Sequence, residues 1–135
     1  MLKELCRTST GLPNEPGMIE RANLKTLAMS LLQPIRDRAG ELQISSGFRC
    51  EAVNKAVGGT ANSQHVDGAA ADIVPVEADI DEVMEWIVKE SGLQFGQCII
   101  ENVKGRRWIH ISLPRFSRPN QVAMRYDGKE YKAYA

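Results

Sequence analysis

Ser63-Gln64-His65-Val66-Asp67-Gly68-Ala69-Ala70-Ala71-Asp72-Ile73-Val74-Pro75 is the stretch that decides how the rest of this chain is read. It opens polar, passes through small residues and ends apolar. Gly68–Val74 therefore predicts a buried central strand, closed by Pro75, which has no N–H for a sheet ladder. Asp72 stands inside that apolar run, where a carboxylate is costly to bury unless a metal ion or an arginine compensates its charge. His65 lies seven residues earlier in a polar loop, and Gly68 to Ala71 are small enough for backbone or ligand to approach closely. The chain's only other histidine is His110, in Trp108-Ile109-His110-Ile111-Ser112. On a strand, Trp108, His110 and Ser112 share one face and Ile109 and Ile111 take the other.

Working outward, residues 7–17 hold Gly11, Pro13, Asn14, Pro16 and Gly17 and, with the residues before them, predict an N-terminal arm, 1–17, lying on the fold. A helix follows, with Ile19, Leu24, Leu27, Ala28, Leu31, Leu32 and Ile35 expected on one face, a kink at Pro34 and a stop at Gly40. Leu42–Ser46 predicts a short strand, Gly47–Cys50 a turn, Glu51–Val57 a short helix and Thr60–His65 a polar loop. Asp79 is the expected N-cap of a second helix to Ser91, with Ile80, Val83, Met84, Ile87 and Val88 as its stripe. Two strands, Gln97–Glu101 and Trp108–Leu113, are expected around a turn at Asn102–Arg107. The tail, 114–135, offers strand-like Gln121–Tyr126 and Lys129–Tyr134 about an Asp127-Gly128 hairpin signal. Helices and strands cluster without strict alternation, which points to an α+β fold with a mostly antiparallel sheet.

At 135 residues the chain is expected to be one domain, 1–135. Seventeen basic side chains balance seventeen acidic ones, so no global field draws it to nucleic acid. The local clusters Lys104–Arg107 and Arg115–Arg118 do not change that expectation. No apolar run reaches the ~20 residues of a membrane helix. The opening MLKELCRTST lacks the apolar core of a secretion signal. Cys6, Cys50 and Cys98 form no CxxC pair, so no zinc ribbon or dithiol site is suggested, and Cys98 is expected in the core.

Two imidazoles and one carboxylate make a three-ligand set of the kind found in catalytic zinc sites. On spacing alone the alternatives stay open: His65 could cap a turn, and Asp72 could pair with Arg49. The ordered motifs go further. Ser46-Gly47-Phe48-Arg49, then Ser63-x-His65-x-x-Gly68-x-Ala70-x-Asp72, then Trp108-Ile109-His110-Ile111-Ser112 resemble the M15 zinc peptidases, the D-alanyl-D-alanine carboxypeptidases and phage endolysin peptidases of bacterial cell walls. Val53–Gly59 and Asn23–Asp37 are similar to that family too, and the likeness spans roughly residues 4–115. It implies a hedgehog/D,D-peptidase-like fold with helices packed on the sheet. It also implies one zinc ion on His65, Asp72 and His110, and Arg49 on the substrate's carbonyl oxygen or terminal carboxylate. Ser63, Gln64 and Trp108 are expected to contact substrate.

One departure stands out. Many members carry Glu or Asp three residues before the last histidine as the proton acceptor. That slot is Arg107 here, which cannot act as a base. Across a hairpin, Glu101 would lie opposite Arg107 or Trp108, and it is the expected general base. Asp67 is a weaker candidate, expected to face solvent. The implied activity is hydrolysis of peptidoglycan stem peptides, as a carboxypeptidase or an endopeptidase. The alternative is a related module that holds zinc and wall peptides without turnover, such as a phage structural component. The expected protein is a monomer, with neither nucleic acid nor membrane as partner. Release at phage-driven lysis would deliver it to the wall without a signal.

Overall fold

The computed structural model describes residues 2–59, 63–116 and 119–135. Residues 60–62 of the expected polar loop and Arg118 of the second basic cluster lie outside them. The elements run α1 (Leu2–Leu5), α2 (Met18–Leu27), a π-helical turn (Ala28–Leu32), α3 (Gln33–Ala39), β1 (Leu42–Ser46), α4 (Glu51–Ala56), β2 (Ala70–Pro75), α5 (Ile80–Lys89), β3 (Gln97–Val103), β4 (Arg106–Ser112), β5 (Val122–Tyr126) and β6 (Tyr131–Ala133). The strands form one sheet in the order β1-β2-β4-β3-β5-β6. Every neighbouring pair is antiparallel except β3 and β5. The α+β expectation with a mostly antiparallel sheet is met.

The helices cover one face of the sheet. Leu24, Leu27, Leu31, Leu32 and Ile35 are wholly buried, and with Val83, Met84 and Ile87 they pack against Ala71, Ile73, Cys98, Ile100, Ile109 and Ile111. Ile19, expected in the same stripe, is exposed instead. Five residues separate it from Leu24, which at ~100° per residue carries it about 140° around the helix. The expected kink at Pro34 takes the form of the π-turn. Pro34 has no N–H to offer a carbonyl four residues back, and just before it Gln33 N–H bonds Ala28 O, five back. Gly40 ends α3 with φ 86°, and Asp79 caps α5 by accepting from Glu82 N–H at 3.1 Å.

The hairpin between β3 and β4 is tighter than the sequence suggested. Its turn is only Lys104-Gly105, both at positive φ, so the strands continue to Val103 and start at Arg106. Asp127-Gly128 does turn a hairpin, but through four residues. Tyr126 pairs with Tyr131, and the Asp127 carboxylate accepts the N–H groups of Lys129 and Glu130. The expected arm begins with a short helix, α1, that the sequence reading did not include.

Among the described residues, no helix is long and apolar enough to cross a membrane.

Candidate metal centre

The face of the sheet turned away from the helices carries the polar residues. Its register sets two adjacent rows. Asp72 on β2 lies opposite His110 on β4, followed by Ile99 on β3 and Met124 on β5. The next row is Trp108, Glu101, Tyr126 and Tyr131, across β4, β3, β5 and β6.

His65 joins the first row from a turn. Ser63 Oγ accepts His65 N–H at 3.2 Å, and Ala69 N–H closes the turn on Gln64 O at 2.9 Å. Gly68 sits there at φ +72°, and a Cβ would come within 2.5 Å of Glu20 O on α2. Neither the backbone conformation nor the space admits a side chain, so Gly68 lets the turn seat against the helix.

His65 is 2% exposed and its Nδ1 lies 2.7 Å from Gly47 O. A carbonyl can only accept, so Nδ1 carries a proton, and the nitrogen a neutral ring would offer to a metal is Nε2. Nε2 faces Asp72 Oδ1 at 3.4 Å. His110 Nδ1 reaches the same oxygen at 3.0 Å. One ligand atom from each of His65, Asp72 and His110 falls within 4.8 Å of the others, and the three could hold a metal ion. Two imidazoles and a carboxylate, one imidazole fixed through its far nitrogen by a backbone carbonyl, suit zinc in donor type and outer support. Burial alone would push the Asp72 carboxyl up. The hydrogen bonds and charges of His110 and His65 outweigh it and hold the group well below the usual carboxylate range.

The Gly47 carbonyl is itself held in place. A bulge between Ile44 and Ser46 ends β1 and bends the chain into 47–50. A Cβ on Gly47 would meet Leu5 O at 2.3 Å, and Phe48 N–H bonds that same oxygen at 2.6 Å. Asn14 of the arm donates to Cys6 O and Phe48 O and accepts from Cys50 N–H. The arm therefore clamps the segment that aims both His65 and Arg49. No sequence signal marked Asn14 or the Gly47 carbonyl for this task, because a backbone acceptor leaves no side-chain pattern.

Arg49 bonds His65 O through its own N–H at 3.0 Å, and its Nη2 donates to Ser63 Oγ at 3.3 Å. Its Nε–H is buried with no acceptor among the described residues. Among the described residues no carboxylate lies within 4 Å of the guanidinium, so the ion pair with Asp72 held open as an alternative is not formed. Burial lowers the Arg49 pKa, while the Asp72 and Glu101 charges act the other way. The group remains a cation with free donors beside the cluster.

Glu101 lies opposite Trp108, one of the two partners expected for it, and Trp108 Nε1–H donates to Glu101 Oε2 at 2.7 Å. Burial first and the Asp72 charge second raise its pKa, against His110, the Trp108 hydrogen bond and Arg49. Arg107 is on the opposite face, where it pairs with Asp81 of α5. An odd offset of three along a regular strand reverses the face. A carboxylate at 107 would therefore not look at the cluster in this chain. Asp67 pairs with Arg115 at 2.5 Å. Gln64 is 8% exposed, donates to Leu113 O at 3.1 Å and lines a neighbouring cavity of about 190 Å³. Cys98 is wholly buried and its thiol is pushed up by that burial, which removes it as a nucleophile.

Residues 2–112 match the family described as Peptidase M15. No curated protein matches the sequence.

Proposed function

The chain belongs to the Peptidase M15 family, and from that premise we propose that it is a zinc-dependent peptidase acting on peptidoglycan stem peptides. His65 Nε2, His110 Nδ1 and one Asp72 oxygen would hold a single zinc ion. When bound, zinc supplies a Lewis acid that polarises a carbonyl and brings the pKa of water toward ~7. Glu101 takes the proton from the attacking water and can return it to the leaving amine. A carboxylate whose pKa is raised by burial is matched to both tasks. Arg49, whose Nε–H has no acceptor among the described residues, binds either the carbonyl oxygen as it gains charge or the carboxylate at the end of the peptide. Trp108 orients Glu101 and lies against the substrate beside it. Ser63 steadies Arg49.

The observation that carries this reading is the register. It sets Glu101 on the face of Asp72 and His110, one row away, although the slot three residues before His110 is filled by an arginine. The test is hydrolysis of peptides ending in D-Ala-D-Ala and of purified muropeptides by the zinc-loaded protein, read by mass spectrometry. Cleavage that a chelator abolishes and added zinc restores is expected. Chelator-insensitive cleavage contradicts the mechanism. Zinc and muropeptide binding without cleavage would select the alternative, a wall-peptide binding module.

A further inference from the structure

The family match ends at Ser112, yet the sheet does not. β5 and β6 come from the tail, and the parallel pairing of β5 with β3 brings Tyr126 directly beside Glu101. Tyr131 lies opposite Tyr126, and their rings stack with centroids 4.3 Å apart and planes 26° from parallel. Strands are ~4.8 Å apart, so Tyr131 stands about 10 Å from Glu101 along the row. Its hydroxyl pKa is raised by burial first and by the Glu101 charge second, which puts the ring in the carboxylate's field. Tyr131 nevertheless keeps 54% of its surface exposed. Arg125 and Tyr134 of the same hairpin turn the other way. Arg125 lies 4.4 Å from the Tyr134 ring, and Tyr134 donates to Glu85 of α5. The hairpin is thus fixed to the helix side and presents a paired aromatic surface on the metal side.

The two ends of the site differ in chemistry. Arg49, next to β1, offers a cation for an anionic group, while the β5–β6 end offers aromatic faces continuous with Trp108 and Glu101. We infer that Tyr126 and Tyr131 form a specificity subsite that packs against the acyl-side residues of the peptide substrate, with Tyr131 as its outer wall. This rests on the peptidase reading. A peptide whose carboxylate is held by Arg49 and whose scissile carbonyl lies over the cluster must carry its N-terminal residues across the sheet toward this hairpin. Aliphatic parts of those residues would lie on the tyrosine faces, and backbone groups would meet their hydroxyl edges.

The test measures calorimetric binding of D-Ala-D-Ala and of a stem-type pentapeptide ending in D-Ala-D-Ala. The zinc-loaded protein is used in a Glu101→Gln background, with and without Tyr131→Ala. Loss of the ring is expected to weaken the pentapeptide about fivefold to twentyfold and the dipeptide less than twofold, whereas Tyr131→Phe retains most of the affinity. If the alanine variant folds poorly, Tyr131→Thr removes the ring and keeps a strand-forming residue. Equal losses on both peptides, or none on either, overturn the subsite. So does Tyr131-dependent binding of a muramyl disaccharide that carries no peptide, since that would assign the surface to glycan. Hydrolysis by the native protein separates this inference from its premise. Cleavage without any Tyr131 dependence removes the subsite alone. Tyr131-dependent pentapeptide binding without cleavage keeps the subsite and removes the peptidase reading.

Discussion

Along β4, Ile109 and Ile111 turn toward the helices and are wholly buried, while Trp108 and His110 turn the other way and meet Glu101 and Asp72. The same alternation runs through β2, where Ala71 and Ile73 join the core and Asp72 faces the cluster. Residues one position apart therefore answer to different physics. On the helix side, position is set by packing, and many contacts share the load. On the open side, three ligand atoms must converge on one point, and each is held by its own support: Gly47 O for His65, the sheet ladder for Asp72 and His110.

That contrast can be broken at single residues. Ile111→Ala, next to His110, should lower unfolding free energy by about 2–5 kcal/mol through lost burial and an unfilled cavity. Zinc content and kcat of the folded fraction should stay unchanged. Denaturant unfolding alongside metal analysis checks both, and a lost metal in a folded variant would mean the two faces are not separable. Arg107→Ala removes an exposed ion pair with Asp81 on the helix side. It should cost under about 1 kcal/mol and leave kcat within twofold. A large fall in kcat would place Arg107 in the chemistry after all.

Much of this architecture was legible because alternation and helical period are local. Asp72 stood out as a carboxylate in an apolar strand, and Ser112 and His110 shared a parity with Trp108. Glu101 could be narrowed to a partner at Arg107 or Trp108 because the two strands of a hairpin keep register across their turn. The parallel docking of β5 on β3 was not legible. Pairing between distant segments leaves no spacing rule, so Tyr126 and Tyr131 read only as part of a tail hairpin. Ile19 misled because it is apolar but off the stripe by most of half a turn. The clamp formed by Leu5, Asn14 and Gly47 was invisible for another reason. It works through backbone carbonyls and close approach, and the sequence shows only a glycine and an asparagine in a turn-rich stretch.

The central claim is that Glu101, brought to the metal face by strand register, replaces the base missing at 107. Zinc content and peptide hydrolysis measured on one preparation of Glu101→Gln test it most directly. One zinc per chain should be retained and kcat lowered about 10²–10⁴-fold. The native protein should lose rate as pH falls through a carboxyl pKa above the ordinary range, since the base must be ionised, and the variant should lack this limb. A Glu101→Gln protein that keeps its zinc and cleaves at the native rate would contradict it.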